Sequence, residues 1–229
     1  MLSKLKKDLQ SLANPEKAKI LQGFFKTGKG EYGEGDVFLG VIVPEQRRIA
    51  KKYDLELEEI QELLNSEIHE HRLVGLFILI NSYKKADDNE GKKIFKFYLD
   101  NAKKINNWDL VDLSAPNIVG NWLLDKDKKI IYNLAKSDNL WEKRIAIIST
   151  FTFIKNNNFQ ETIKISEMLL KDKHDLIHKA VGWMLREIGK KDEQELLKFL
   201  NKHYKEMPRT MLRYSIEKLN EDERKKWMK

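Results

Sequence analysis

Five segments of this chain repeat one pattern of apolar residues at nearly constant spacing, and that periodicity restricts the architectures open to it more than any other feature. The segments are HRLVGLFIL, NWDLVDLSA, EKRIAIIST, HKAVGWMLR and PRTMLRYSI. Aligned on their apolar positions, they place Arg72, Trp108, Arg144, Lys179 and Arg213 in one column, at successive spacings of 36, 36, 35 and 34 residues. A period in the mid-thirties to forties belongs to two-helix repeats, which cannot bury an apolar face alone and therefore stack. The apolar spacing is itself helical, as in residues 141–154 (WEKRIAIISTFTFI) and 176–188 (LIHKAVGWMLREI). Short polar breaks at Lys84–Asn89, Asp125–Lys128, Asn156–Asn158 and Lys190–Asp192 separate stretches of helix length. The strict consensus residues of tetratricopeptide and ankyrin repeats are missing, which leaves the HEAT-like class. The expected fold is all-α, a HEAT-like α-solenoid with residues 1–229 as a single repeat domain.

The clearest departure from helical spacing is GKGEYGEGDVFLGVIVP, residues 28–44, with five glycines and a terminal proline. It reads as a loop between N-terminal helices, with a short extended piece at Val41 to Val43 and Pro44 in the first turn of the helix that follows. GKGEYG matches the spacing of a dinucleotide-binding loop, but it follows a helix rather than a strand, so that reading is set aside.

One helical turn beyond the first column lies a second: Leu76, Asp112, Ile148, Trp183 and Glu217. Residues at i and i+4 share a helix face. The two columns then form a strip across helices stacked about 8–10 Å apart. It carries Arg72, Trp108, Asp112, Arg144, Lys179, Trp183 and Arg213. Unpaired charges are not placed in a buried seam, so the strip is expected to line a concave binding surface.

Charge narrows the partner. The net charge is +7 and the isoelectric point about 9.2, the usual footprint of a nucleic-acid binder, although the basic residues are spread along the whole chain. With no cysteine, disulfides and thiolate zinc sites are excluded. The apolar runs are too short to cross a bilayer, and the N-terminal stretch MLSKLKKDLQSLANPEKAKI lacks the continuous apolar core of a signal peptide. The cytoplasm is the expected compartment, with no membrane partner.

The stretches GFFKTGKGEYGEGDVFLGVIVPEQRRIAKKY, NNWDLVDLSAP, WEKRIAIISTFTFI and HKAVGWMLREIGKKD, in that order, resemble the AlkD family of bacterial alkylpurine DNA glycosylases. The resemblance runs from about residue 20 to the C-terminus. It implies a DNA-binding cleft lined by a Trp-x-x-x-Asp pair, an arginine from the next repeat and a tryptophan from the one after. Trp108, Asp112, Arg144 and Trp183 match those positions. An aromatic just upstream of the glycine-rich loop is also implied, and Phe24 and Phe25 both stand there. The implied activity is hydrolysis of the N-glycosidic bond of N3-alkyladenine and N7-alkylguanine in double-stranded DNA, by a monomer needing no metal and no cofactor.

The residue types suit that chemistry. An alkylated purine of this kind is cationic and leaves without a general acid, so positive charge gathers on the deoxyribose. A carboxylate such as Asp112 stabilises that charge and orients the attacking water. Indole faces attract cations, which gives Trp108 and Trp183 a place beside the sugar. Arg144, with Lys179, Arg72 and Arg213, would hold flanking phosphates. Plainer readings stand beside these. Trp108 at a helix start can be a packing residue, Asp112 can pair with a lysine, and Arg144 can cover the core with its stem. Two other functions remain open: a non-catalytic relative that binds distorted or branched DNA, and a HEAT scaffold for proteins. The five histidines, with His174 and His178 at i, i+4, lack further ligands at metal spacing and read as surface or packing residues.

Overall fold

The computed structural model describes residues 1–228. They form an all-α chain in which the only β interaction among the described residues is an isolated parallel bridge between Val37 and Ile68. Contacts gather the chain into two compact units, Met1–Ser114 and Ala115–Lys229.

Unit 1 contains α1 (Leu2–Gln10), α2 (Pro15–Phe24), α3 (Val43–Ala50), α4 (Leu57–Leu64), α5 (His69–Tyr83), α6 (Asp88–Asp100) and α7, which starts at Trp108 and runs to Ala115. Local chemistry sets several of the starts. The Asn14 side chain accepts from Lys17 N at 2.9 Å just ahead of Pro15, and Asp87 caps α6 through Glu90 N, so free N–H groups of each first turn are satisfied. Helix α5 is the centre of the unit, packed by α3, α4 and α6. Its twelve residues His69–Ile80 are all buried, as expected for a helix enclosed on every side.

The glycine-rich segment is held down rather than loose. Glu70 on α5 accepts from the backbone N–H groups of Leu39, Gly40 and Val41 at 2.9, 2.8 and 3.2 Å. Gly40 has φ +82°, and a Cβ there would lie 2.2 Å from Asn14 O, so glycine is required on both counts. The extended contact forms at Val37, not at Val41 to Val43, because α3 already begins at Val43 with Pro44 in its first turn.

Unit 2 begins with a π-helical turn, Pro116–Gly120, and α8 (Asn121–Leu123). It continues through α9 (Lys129–Ala135), α10 (Leu140–Lys155), α11 (Gln160–Leu169), α12 (Asp175–Lys191), α13 (Glu193–His203), α14 (Arg209–Ser215) and α15 (Glu221–Trp227). Helix α10 packs on α12, and α12 on α14, while α9 packs on α11. This is a two-layered stack in which alternate helices are neighbours. The approach of α12 to α14 is close: a Cβ on Gly182 would stand 2.5 Å from both Met211 O and Tyr214 Cβ. The five sequence segments fall on α5, α7, α10, α12 and α14, so the period near 35 residues counts one helix of each pair. No helix among the described residues is long and apolar enough to cross a membrane.

Candidate functional site

In unit 1 the chemistry gathers at the start of α7. Asn107 Oδ1 accepts from Trp108 N at 2.8 Å and fixes where the helix begins. The Trp108 ring stacks on Phe25, with 5.1 Å between centroids and 18° between planes, and Phe24 meets it edge-on at 5.8 Å. The stack continues inward from Phe25 to Phe38 at 5.1 Å and from Phe38 to His69 at 4.5 Å. Phe24 is 61% exposed and Phe25 7%, so of the two phenylalanines it is Phe24 that borders Trp108 at the surface, and Phe25 belongs to the core. Trp108 and Asp112 are both half-buried and one turn apart on α7, which puts the indole and the carboxylate on one face of a single helix. Burial and the nearby negative charge of Asp112 push the Tyr98 phenol up, while its hydrogen bond to Ser114 opposes the rise.

Beneath this face lies a charged cluster. His69 Nδ1 is 3.1 Å from Asp36 Oδ2, and its Nε2 is 2.8 Å from Asp109 Oδ2. Arg72 Nη2 pairs with Asp36 Oδ2 at 2.6 Å, and Arg72 Nη1 donates to Ser66 O at 2.8 Å. Asn107 Nδ2 adds a bond to Asp36 at 3.3 Å. Burial penalises the charged form of His69, but the Asp109 and Asp36 carboxylates outweigh it and push the imidazole up to about 9. Burial likewise opposes ionisation of Asp36, yet His69, Arg72 and Asn107 hold its carboxyl below the usual range.

In unit 2, Lys179 and Arg213 line a cleft of about 550 Å³ together with Arg224, Thr210, Tyr214 and Asp175. Arg213 is exposed, while Lys179 lies 2.7 Å from Asp175 on its own helix. Trp183, one turn beyond Lys179 on α12, is half-buried. Its Nε1 donates to Glu187 Oε1 at 3.0 Å, and its ring leans on Phe151 at 5.9 Å.

Two members of the expected cationic strip do not face solvent. Arg72 is 3% exposed and Arg144 4%. Their helices are the central ones of their units, so the column that reaches the surface on α14 turns inward on α5 and α10. Leu76 and Ile148, in the second column, are fully buried for the same reason. Arg72 is consumed by Asp36 and Ser66, and Arg144 Nη1 donates to Leu176 O at 2.6 Å. The strip as expected from the spacing is therefore corrected at these two positions, which brace the interior. His69 corrects the sequence reading differently: it is a packing residue by burial but an ionic one by its partners. Asp36, His69 and Asp109 carry no motif, and only their tertiary pairing reveals them.

The model of a protein family described as DNA alkylation repair enzyme matches residues 5–219. The chain belongs to this family. Its fold is that of solved DNA alkylation repair proteins. A structure described as a predicted DNA alkylation repair enzyme from Enterococcus faecalis superimposes with a TM-score of 0.72 at 19% identity, covering 91% of this chain and 97% of that one. The crystal structure of AlkD2 from Streptococcus mutans matches with a TM-score of 0.56 at 19% identity, covering 96% of this chain and 97% of that one. No curated protein matches the sequence. Within this DNA alkylation repair family, both the Trp108 face and the cleft-lining residues Lys179 and Arg213 fall inside the matched range, whereas α15, with Arg224, lies beyond it.

Proposed function

We propose that this DNA alkylation repair protein is a monofunctional glycosylase that hydrolyses the N-glycosidic bond of cationic alkylated purines, N3-alkyladenine and N7-alkylguanine, in double-stranded DNA, and that it works as a cytoplasmic monomer without metal or cofactor. The observation that carries this reading is the pairing of Trp108 and Asp112 on one face of α7, with the exposed Phe24 ring at the border of the indole. An indole and a carboxylate one turn apart are suited to the positive charge that develops on the deoxyribose as a cationic base departs. The base already carries the charge that makes it a leaving group, so no general acid is required. Asp112 stabilises the sugar cation and orients water, Trp108 offers its face to the same charge, and Trp183 serves as a second aromatic contact. Lys179 and Arg213 hold phosphates and set the register of the strand, a role that carries no sequence information.

The test is excision of N7-methylguanine and N3-methyladenine from methylated duplex DNA by the native chain and by Asp112→Asn. The amide keeps the shape and removes the charge, so excision should fall steeply, tenfold for each ~1.4 kcal/mol of lost transition-state stabilisation, while duplex affinity holds or rises. Equal excision by the Asn variant would remove Asp112 from the mechanism. Tight binding of methylated or distorted duplex with no excision by the native chain would favour a non-catalytic DNA binder instead.

A further inference from the structure

We propose that His69, held as an imidazolium between Asp36 and Asp109, is the positioning residue for Trp108. Geometry supports that protonation state. The ring nitrogens lie 3.1 and 2.8 Å from carboxylate oxygens, and an ionised carboxylate only accepts, so these bonds form with both nitrogens donating. Arg72 Nη2, itself a donor, stands farther from Nδ1 at 3.5 Å. Charge balance agrees. Asp36, Asp109, Arg72 and His69 are all buried, and two buried carboxylates are favoured beside two cations. Arg72 supplies one and His69 the other.

Three branches of the cluster lead to Trp108. Asp109 is the residue after it and accepts from His69 Nε2. Asn107 is the residue before it, and this side chain has two bonds: its Nδ2 donates to Asp36, while its Oδ1 accepts from Trp108 N. The third route passes through the rings. His69 stacks on Phe38 at 4.5 Å and leans on Phe25 at 5.1 Å, and Phe25 is the surface on which the indole lies. The backbone on both sides of Trp108 and the inner face of its ring are thus referred to one imidazole. Asp112, a turn later on the same helix, takes its place from that start. Charge-assisted bonds to buried groups give such a support a stiffness that neutral packing lacks.

The inference rests on the proposed function, in that Trp108 is taken to face the lesion, but its first test does not need excision. In the native chain carrying ¹³C-labelled tryptophan rings, with Trp108 assigned by comparison with Trp108→Phe, the pH is raised from 7 to 10. Asp36, Asp109 and Arg72 are the charged groups that face His69. The Trp108 ring signals should move in step with the His69 imidazole signals while those of Trp183 stay in place. Titration of His69 with an unmoved Trp108 overturns the proposal. The second test is His69→Gln, which keeps a donor and removes the charge. Single-turnover excision should fall at least tenfold with duplex Kd changed less than about threefold, and the Trp108 signals should shift or broaden. Native excision with native Trp108 signals in that variant also overturns it. Should His69→Gln fail to fold, Asn107→Ala leaves the imidazole and its carboxylates in place, removes only the Asn107 bonds to Asp36 and to Trp108 N, and should disturb the Trp108 signals and lower single-turnover excision with little change in Kd. No change in either contradicts the proposal. A native chain that excises nothing defeats the glycosylase reading alone, since the coupling of His69 to Trp108 is still read by the titration.

Discussion

Arg72 and Asp36 form an ion pair at 2.6 Å with both side chains 4% exposed. The repeat arithmetic put Arg72 in line with the exposed Arg213, but a guanidinium so placed cannot reach a phosphate. Arg72→Ala should leave Asp36 as a buried, under-compensated carboxylate and destabilise the protein by about 3–5 kcal/mol. Chemical denaturation reads that loss. In the folded fraction, the dependence of DNA affinity on salt should match that of the native chain.

Stability should peak near pH 6.5, because two neighbouring histidines of α5 shift in opposite directions. His69 is raised from 6.5 to about 9. Its contribution, on the order of 3 kcal/mol, is fully present below pH 6.5 and is lost as pH rises through about 9. His71 is pushed down to about 4 by burial and by the charges of Lys6 and Arg72. The fold keeps it neutral, so stability falls as pH drops below 6.5 toward 4. Guanidinium midpoints of the full chain between pH 5 and pH 9.5 should trace both limbs. A flat profile above pH 7 would contradict the charged state assigned to His69.

Phe24 and Phe25 are adjacent in sequence and should behave oppositely. Phe25→Ala removes a core ring stacked on both Trp108 and Phe38 and should cost about 3–5 kcal/mol. Phe24→Ala removes a mostly exposed ring and should cost less than about 1 kcal/mol, while weakening duplex binding several-fold. Thermal melts and duplex titrations of the two variants separate them.

Arg213 and Arg144 form the corresponding pair in unit 2. Arg213→Ala should reduce the slope of log affinity against log salt by about 1, the loss of one phosphate contact. Arg144→Ala should leave that slope alone. It should instead destabilise the fold by about 1–3 kcal/mol, since Leu176 O loses a buried donor.

Helix identity was legible because it is local. The period near 35 residues placed α5, α7, α10, α12 and α14, and the i, i+4 rule put Trp108 with Asp112 and Lys179 with Trp183. What was not legible depended on which helices are enclosed. Nothing in HRLVGLFIL or EKRIAIIST distinguishes an arginine that covers a surface from one that enters the interior, and only the packing around α5 and α10 decides it. The His69 cluster escaped for a related reason. Asp36 and Asp109 lie 33 and 40 residues from it in sequence, in a loop and a helix whose meeting no local pattern announces. The choice between Phe24 and Phe25 turned on where α2 ends, which shifts by a residue without altering any motif.

The contact at Gly182 bears on more than packing. Met211 and Tyr214 stand where a methyl group would go, and the helices that meet there also carry Asp175 and Lys179 on one side and Thr210 and Arg213 on the other. The width of the cleft is thus set by an atom the protein lacks. Gly182→Ala would press on Met211 and Tyr214 and force α14 away from α12. If the cleft holds a phosphate backbone as proposed, a substitution remote from any phosphate would change which backbone spacing it accepts, and the glycine would act as a gauge for the strand.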